Sequence, residues 1–130
     1  MTQTTASEPK AVVEQTFEAV NRHDLEAFLE CFHPDYLSEA PPHPDRAFRG
    51  REIVRKNWSG IFADIPDIKV ELVRCVSDGD TVWAEIRFFG TSREGRRLDL
   101  RGVIIHGVQA SQIKWARLYM EQVEGATEPQ

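Results

Sequence analysis

A chain of 130 residues, 41% hydrophobic and 28% charged, is one globular domain long enough to bury roughly two thirds of its unfolded surface. Its net charge of −5, from 21 acidic against 16 basic residues, argues against a general nucleic-acid binder, which would show a basic face. No apolar run reaches the length of a membrane span, and the polar, Thr-rich opening Met1–Glu8 lacks the basic and apolar regions of a signal peptide, so a cytoplasmic protein with no membrane partner is expected.

Residues 1–8 and 125–130 read as frayed ends, leaving an ordered part of about 8–123. A first helix is predicted from near Ser7, with Glu8 and Pro9 in its first turn and Val13, Phe17 and Val20 at i, i+4, i+7. Asn21–Arg22–His23 breaks it. Asp24 is the natural N-cap of a second helix, where Leu25, Phe28, Leu29 and Phe32 make an apolar stripe that His33–Pro34–Asp35 ends. Tyr36–Ala40 reads as a short extended piece, and Pro41, Pro42 and Pro44 as a loop. Gly50 precedes a third helix with Val54, Trp58, Ile61 and Phe62 on one face, closed by Pro66.

Four strand-like runs follow, near 68–76, 81–90, 97–108 and 113–123. The second carries the clearest pattern: Val82, Ala84, Ile86 and Phe88 alternate with Trp83, Glu85, Arg87 and Phe89, as successive side chains of a strand leave opposite faces. The third sets Leu98, Leu100, Gly102 and Ile104 against Asp99, Arg101, Val103 and Ile105. In the fourth, Ala116, Leu118 and Met120 oppose Trp115, Arg117, Tyr119 and Glu121. One sheet face is therefore oily and the other holds most of the charge. Short turns at Ser77–Asp80, Ser92–Gly95 and Gln109–Gln112 make the four strands an antiparallel meander. Helices first and strands after give an α+β domain with the helices on the oily face. Cys31 and Cys75 form no cysteine framework and are expected to be reduced, mostly buried thiols.

Several segments in this order resemble the NTF2-like superfamily, and within it the SnoaL-like, polyketide-cyclase-like branch. They are Val12–Gln15 leading to Phe17–Asn21, His23–Phe28, Phe32–Tyr36, Phe48–Ile53, the Asp78–Gly79–Asp80 turn and Arg117–Leu118–Tyr119. The resemblance covers roughly residues 8–123 of a single domain spanning 1–130. It implies a cystatin-like cone: three N-terminal helices packed on a curved, mostly antiparallel sheet that holds a deep pocket. It also implies a homodimer, commonly through the outer sheet face. There Trp83, Trp115 and Tyr119 stand among Arg87, Asp99, Arg101 and Arg117, and aromatics among arginines are the usual anchors of interfaces.

The catalytic sets known in this fold do not carry over. The tyrosine, base aspartate and strand acid of the steroid isomerases fall on Thr16, Ala40 and Ile104. The arginine–aspartate pair and second aspartate of the epoxide hydrolases fall on Ile86, Phe88 and Leu118. Alanine, isoleucine, leucine and phenylalanine neither move a proton nor stabilise an enolate. Asp99, Arg101 and Glu121 match the hydrolase set in composition only and read as an outer salt-bridge cluster.

The candidate ligand pocket is therefore Tyr36, Trp58, Val82, Ala84, Ile86, Phe88, Ile104, Leu118 and Met120, suited to a small hydrophobic ligand or substrate, with no cofactor and no metal. The candidate acid–base residues are His106, Glu39 and Glu121. His106 is the ionisable group on the oily register of its strand, and reads either as a proton carrier or as a rim histidine bonded to backbone. Glu39 adjoins the lost base position at Ala40; Glu121 is the acid nearest the end of the last strand. Binding protein, cofactor-independent cyclase or isomerase, and a filled dimerisation module remain the three functional readings.

Overall fold

The structure, a computed structural model, describes residues 8–125. Three helices, α1 (Pro9–Asn21), α2 (Leu25–Glu30) and α3 (Arg51–Asp64), precede most of a six-stranded sheet. Its strands are β1 (Phe32–Glu39), β2 (Phe48–Arg49), β3 (Lys69–Asp78), β4 (Thr81–Thr91), β5 (Arg97–Gln109) and β6 (Gln112–Gln122). They lie in the order β2-β1-β6-β5-β4-β3. Every neighbouring pair is antiparallel except β1 with β6. The fold is α+β, three helices on a curved, mostly antiparallel sheet.

The helices form where the periodicity put them. Val13, Phe17 and Val20 of α1 are buried, as are Val12 and Thr16 between them. The predicted start at Ser7, and the ends 1–7 and 126–130, lie outside the described residues. Asp24 caps α2, its carboxylate accepting the Ala27 backbone N–H at 3.1 Å. Asn21 at the end of α1 satisfies an exposed sheet edge. Its amide accepts the Val70 N–H at 2.7 Å and donates to the Val70 carbonyl at 3.0 Å, as a neighbouring strand would. Gly50, at φ 108°, makes the sharp entry into α3, a backbone conformation that side chains with a Cβ resist.

Strand phase agrees with the alternation. Val82, Ala84, Ile86 and Phe88 are buried, facing Leu100, Ile104 and His106 across the ladder. The charged face is outside: Arg87 Nε and Arg101 Nε each donate to Asp99 Oδ1 at 3.1 Å. The β3–β4 register shifts between Leu72 and Arg74, and the β5–β6 register between Gly107 and Val108. Such bulges bend strands, which lets the sheet wrap around the helices.

Two expectations are corrected. The second helix ends at Glu30, and His33–Pro34–Asp35 belongs to β1, which begins at Phe32 and absorbs the extended piece placed at Tyr36–Ala40. Pro34 has no N–H to give a ladder, and the β1–β6 pairing is interrupted between Phe32 and Leu37, where it sits. Glu121 does not join the Asp99–Arg101 cluster: its carboxylate lies 2.7 Å from His43 Nε2, in the loop before β2.

Candidate functional site

A cavity of about 530 Å³ lies between α3, β1, β2 and the far ends of β4, β5 and β6. Its aromatic wall has two parts. Phe32 meets Tyr36 edge-on at 4.8 Å, Tyr36 meets Phe48 at 6.1 Å, and Trp58 tilts against Phe88 at 5.6 Å. Val54, Ile61, Ile65 and Ile68 add aliphatic surface from α3 and the segment after it. Leu98, Leu100, Leu118 and Met120 supply the sheet floor.

Polar groups are few and sit at two depths. Tyr36 and Ser38 are buried. Burial pushes the Tyr36 phenol up to about 12, with Ser38 opposing in part, so it stays neutral and able to donate. Arg46 and Asn57 are the exposed members of the lining and mark the mouth, between the loop before β2 and α3. Among the described residues no carboxylate, histidine, lysine or cysteine lines the cavity.

Of the sequence-predicted pocket residues, Tyr36, Trp58, Phe88, Leu118 and Met120 line this cavity. Val82, Ala84, Ile86 and Ile104 do not. They face the correct way, but α1 packs across β3, β4, β5 and β6 and seals them into the core at 0–6% exposure. The candidate acid–base groups are not brought together. His106 is no rim residue: it is 4% exposed beneath α1, with the Phe17 ring 5.9 Å away and Nδ1 lacking a hydrogen-bond partner. Burial drives its pKa down to about 4, against a smaller opposing contact with the Val82 backbone, so near neutral pH it is uncharged. Glu39 accepts from Arg117 at 3.0 Å, and Glu121 is held by His43. Ser38, Arg46 and Asn57 had not been singled out. Ser38 alternates with Tyr36 along β1, and Asn57 precedes Trp58 on α3, so period and neighbourhood carried a signal for those two. Arg46 follows three prolines in a loop and carried none.

The geometry is that of a helix-capped cone, and residues 13–117 match the family model described as the SnoaL-like domain. The chain belongs to the SnoaL-like family. Among curated proteins no relative matches it. Solved structures similar to this SnoaL-like domain include IdmH of Streptomyces antibioticus, a candidate polyketide cyclase. IdmH is 20% identical over 93% of this chain and 96% of its own, with a TM-score of 0.72. A Mycobacterium tuberculosis protein in complex with estradiol-17beta-hemisuccinate is 20% identical over 87% of this chain and 94% of its own, TM-score 0.75. An epoxide hydrolase of the LEH-like kind from M. tuberculosis is 16% identical over 94% of this chain and 87% of its own, TM-score 0.76. At these identities the likeness is one of fold.

Proposed function

We propose that this SnoaL-like domain binds a small apolar molecule in the cone and does not use the proton-transfer sets of the steroid isomerases and epoxide hydrolases that share the fold. The observation that carries this reading is the lining itself: about 530 Å³ walled by aromatic and aliphatic side chains, with hydroxyl, amide and guanidinium groups but, among the described residues, no carboxylate, imidazole, amine or thiol. That size suits a drug-sized ligand, and apolar burial at roughly 25 cal/mol per Å², less the cost of association, supports micromolar binding. A relative of the same fold holding a steroid hemisuccinate is consistent with such an occupant. A cofactor-independent enzyme using His106 with Glu39 or Glu121 would need those groups at the cavity, and each is engaged or buried elsewhere.

The test is titration with the neutral fluorescent probe N-phenyl-1-naphthylamine. Saturable binding is expected in the wild type and a clear weakening in Leu118→Trp, which sets a larger indole on the sheet floor of the cavity. Binding that persists unchanged in a folded Leu118→Trp protein would contradict the reading.

The reading includes a homodimer through the outer sheet face, where Val76, Trp83 and Tyr119 are 61%, 38% and 39% exposed. These apolar groups beside the Arg87–Asp99–Arg101 network have the composition of an interface core with a charged rim. Sedimentation at micromolar concentration should give the dimer mass, and Trp83→Glu the monomer mass. A wild-type monomer would remove this part of the proposal.

A further inference from the structure

The cavity mouth carries a feature that an entirely apolar ligand would leave unused. Arg46 lines it and is exposed, and among the described residues no carboxylate comes within ion-pairing distance of its guanidinium. Among the described residues six other arginines are ion-paired, Arg49 with Asp35, Arg55 with Glu26 and Glu52, Arg74 with Glu85, Arg87 and Arg101 with Asp99, and Arg117 with Glu39, while Arg22, Arg51, Arg93, Arg96 and Arg97 are not; of the unpaired ones, Arg46 lines the cavity. In a chain of net charge −5, an unpaired guanidinium at the rim of an apolar cavity is a local exception to the prevailing sign.

The backbone that carries Arg46 is held in place. Arg46 ends a short 3-10 turn, Pro44–Arg46, with its backbone N–H donating to the His43 carbonyl at 2.9 Å. Pro41, Pro42 and Pro44 stiffen the strap that bears it. One side of the strap is tied to the sheet by the 2.7 Å contact between His43 Nε2 and Glu121. The other runs into β2, where Phe48 pairs with Ser38 of β1 and packs against Tyr36. A strap fixed before binding loses less freedom when a ligand arrives. Asn57 on α3, the other exposed residue of the lining, offers a neutral amide.

We infer that the cavity selects amphipathic molecules, an apolar body inserted between Trp58 and the sheet floor and a single anionic group, carboxylate or sulfonate, held at the mouth by Arg46. This rests on the apolar-cavity reading above and adds the ligand's charge and orientation. A guanidinium matches a planar pair of anionic oxygens in a two-pronged hydrogen bond, which an ammonium cannot reproduce.

The experiment compares two fluorescent probes with the same anilinonaphthalene body: 8-anilino-1-naphthalenesulfonate, which carries an anion, and neutral N-phenyl-1-naphthylamine. The quantity read is the ratio of their affinities in the wild type, Arg46→Ala, Arg46→Lys and Arg46→Glu. The preference for the anionic probe is expected to fall about fivefold in Arg46→Ala, the scale of a rim-exposed ion pair, further in Arg46→Glu, and to recover in part in Arg46→Lys. A ratio unchanged across the three variants, while the neutral probe still binds, would overturn this inference and leave the apolar cavity standing. No binding of the neutral probe to the wild type would overturn both.

Discussion

Acidification should weaken this domain through one buried side chain, His106. Its imidazole is 4% exposed, faces the edge of Phe17, and has its pKa lowered from 6.5 to about 4, chiefly because burial strips water from the charged form. The unfolded chain takes up that proton near pH 6.5; the folded chain does so only near 4. Between those values the unfolded state binds more protons, so stability falls as pH falls. The contribution is complete above 6.5 and fully lost below about 4. The separation of the two pKa values corresponds to at most about 3 kcal/mol. Replacing the imidazole by an apolar group removes the titration and the unpartnered Nδ1 together. Urea unfolding of wild type and His106→Leu at about pH 7 and about pH 4.5 should show the wild type losing roughly 2–3 kcal/mol more than the variant over that interval. Taking this difference of differences cancels the carboxylates, which titrate in both proteins. Equal pH slopes, or a His106 pKa near 6.5 by NMR, would refute the burial argument.

Two further outcomes test the sheet. Asp99 is held down to about 2 by hydrogen bonds from Arg101 and Arg87, so its contribution is present above its ordinary pKa of 3.8 and drains as pH falls toward 2. Its side chain is only 15% exposed, yet it lies on the open outer face, where solvent still reaches the ion pairs and screens them. Asp99→Asn should therefore cost only about 1 kcal/mol near neutral pH in denaturant unfolding, and a loss several times larger would mean the cluster is sealed from water. Gly102 holds φ 156°, and a Cβ there would overlap the Tyr119 carbonyl of the adjacent strand. Gly102→Ala should destabilise by about 1–3 kcal/mol in the same assay, whereas unchanged stability would show that β5 and β6 part freely at this point.

Strand phase was legible because period two is strict over Thr81–Phe89, and a one-residue slip would have exposed Val82, Ala84, Ile86 and Phe88 together. What alternation does not record is depth. Val82 and Phe88 share a face, yet Val82 is sealed into the core, whereas Phe88 meets Phe17 of α1 edge-on and also lines the cavity. His106 is sealed in with Val82. It reads as a rim group from its place late in β5, but β5 runs its last turns beneath α1. The parallel β1–β6 pairing joins residues about 80 positions apart, and β2 is only two residues long, so neither leaves a local pattern. Pro34 disguised the start of β1 as a helix end. The mouth was hidden longest. Arg46 and Asn57 come to one cavity only when the proline strap and α3 are folded, so their sharing a lining is a tertiary fact.

The central claim is that an apolar molecule occupies the inside of the cone. It is tested most directly by intermolecular NOEs between methyl-labelled protein and bound N-phenyl-1-naphthylamine. Contacts to the Met120 and Leu118 methyls, with shifts of the Trp58 indole, are the expected result. NOEs confined to the outer face, at Val76 and around Trp83 and Tyr119, would contradict it.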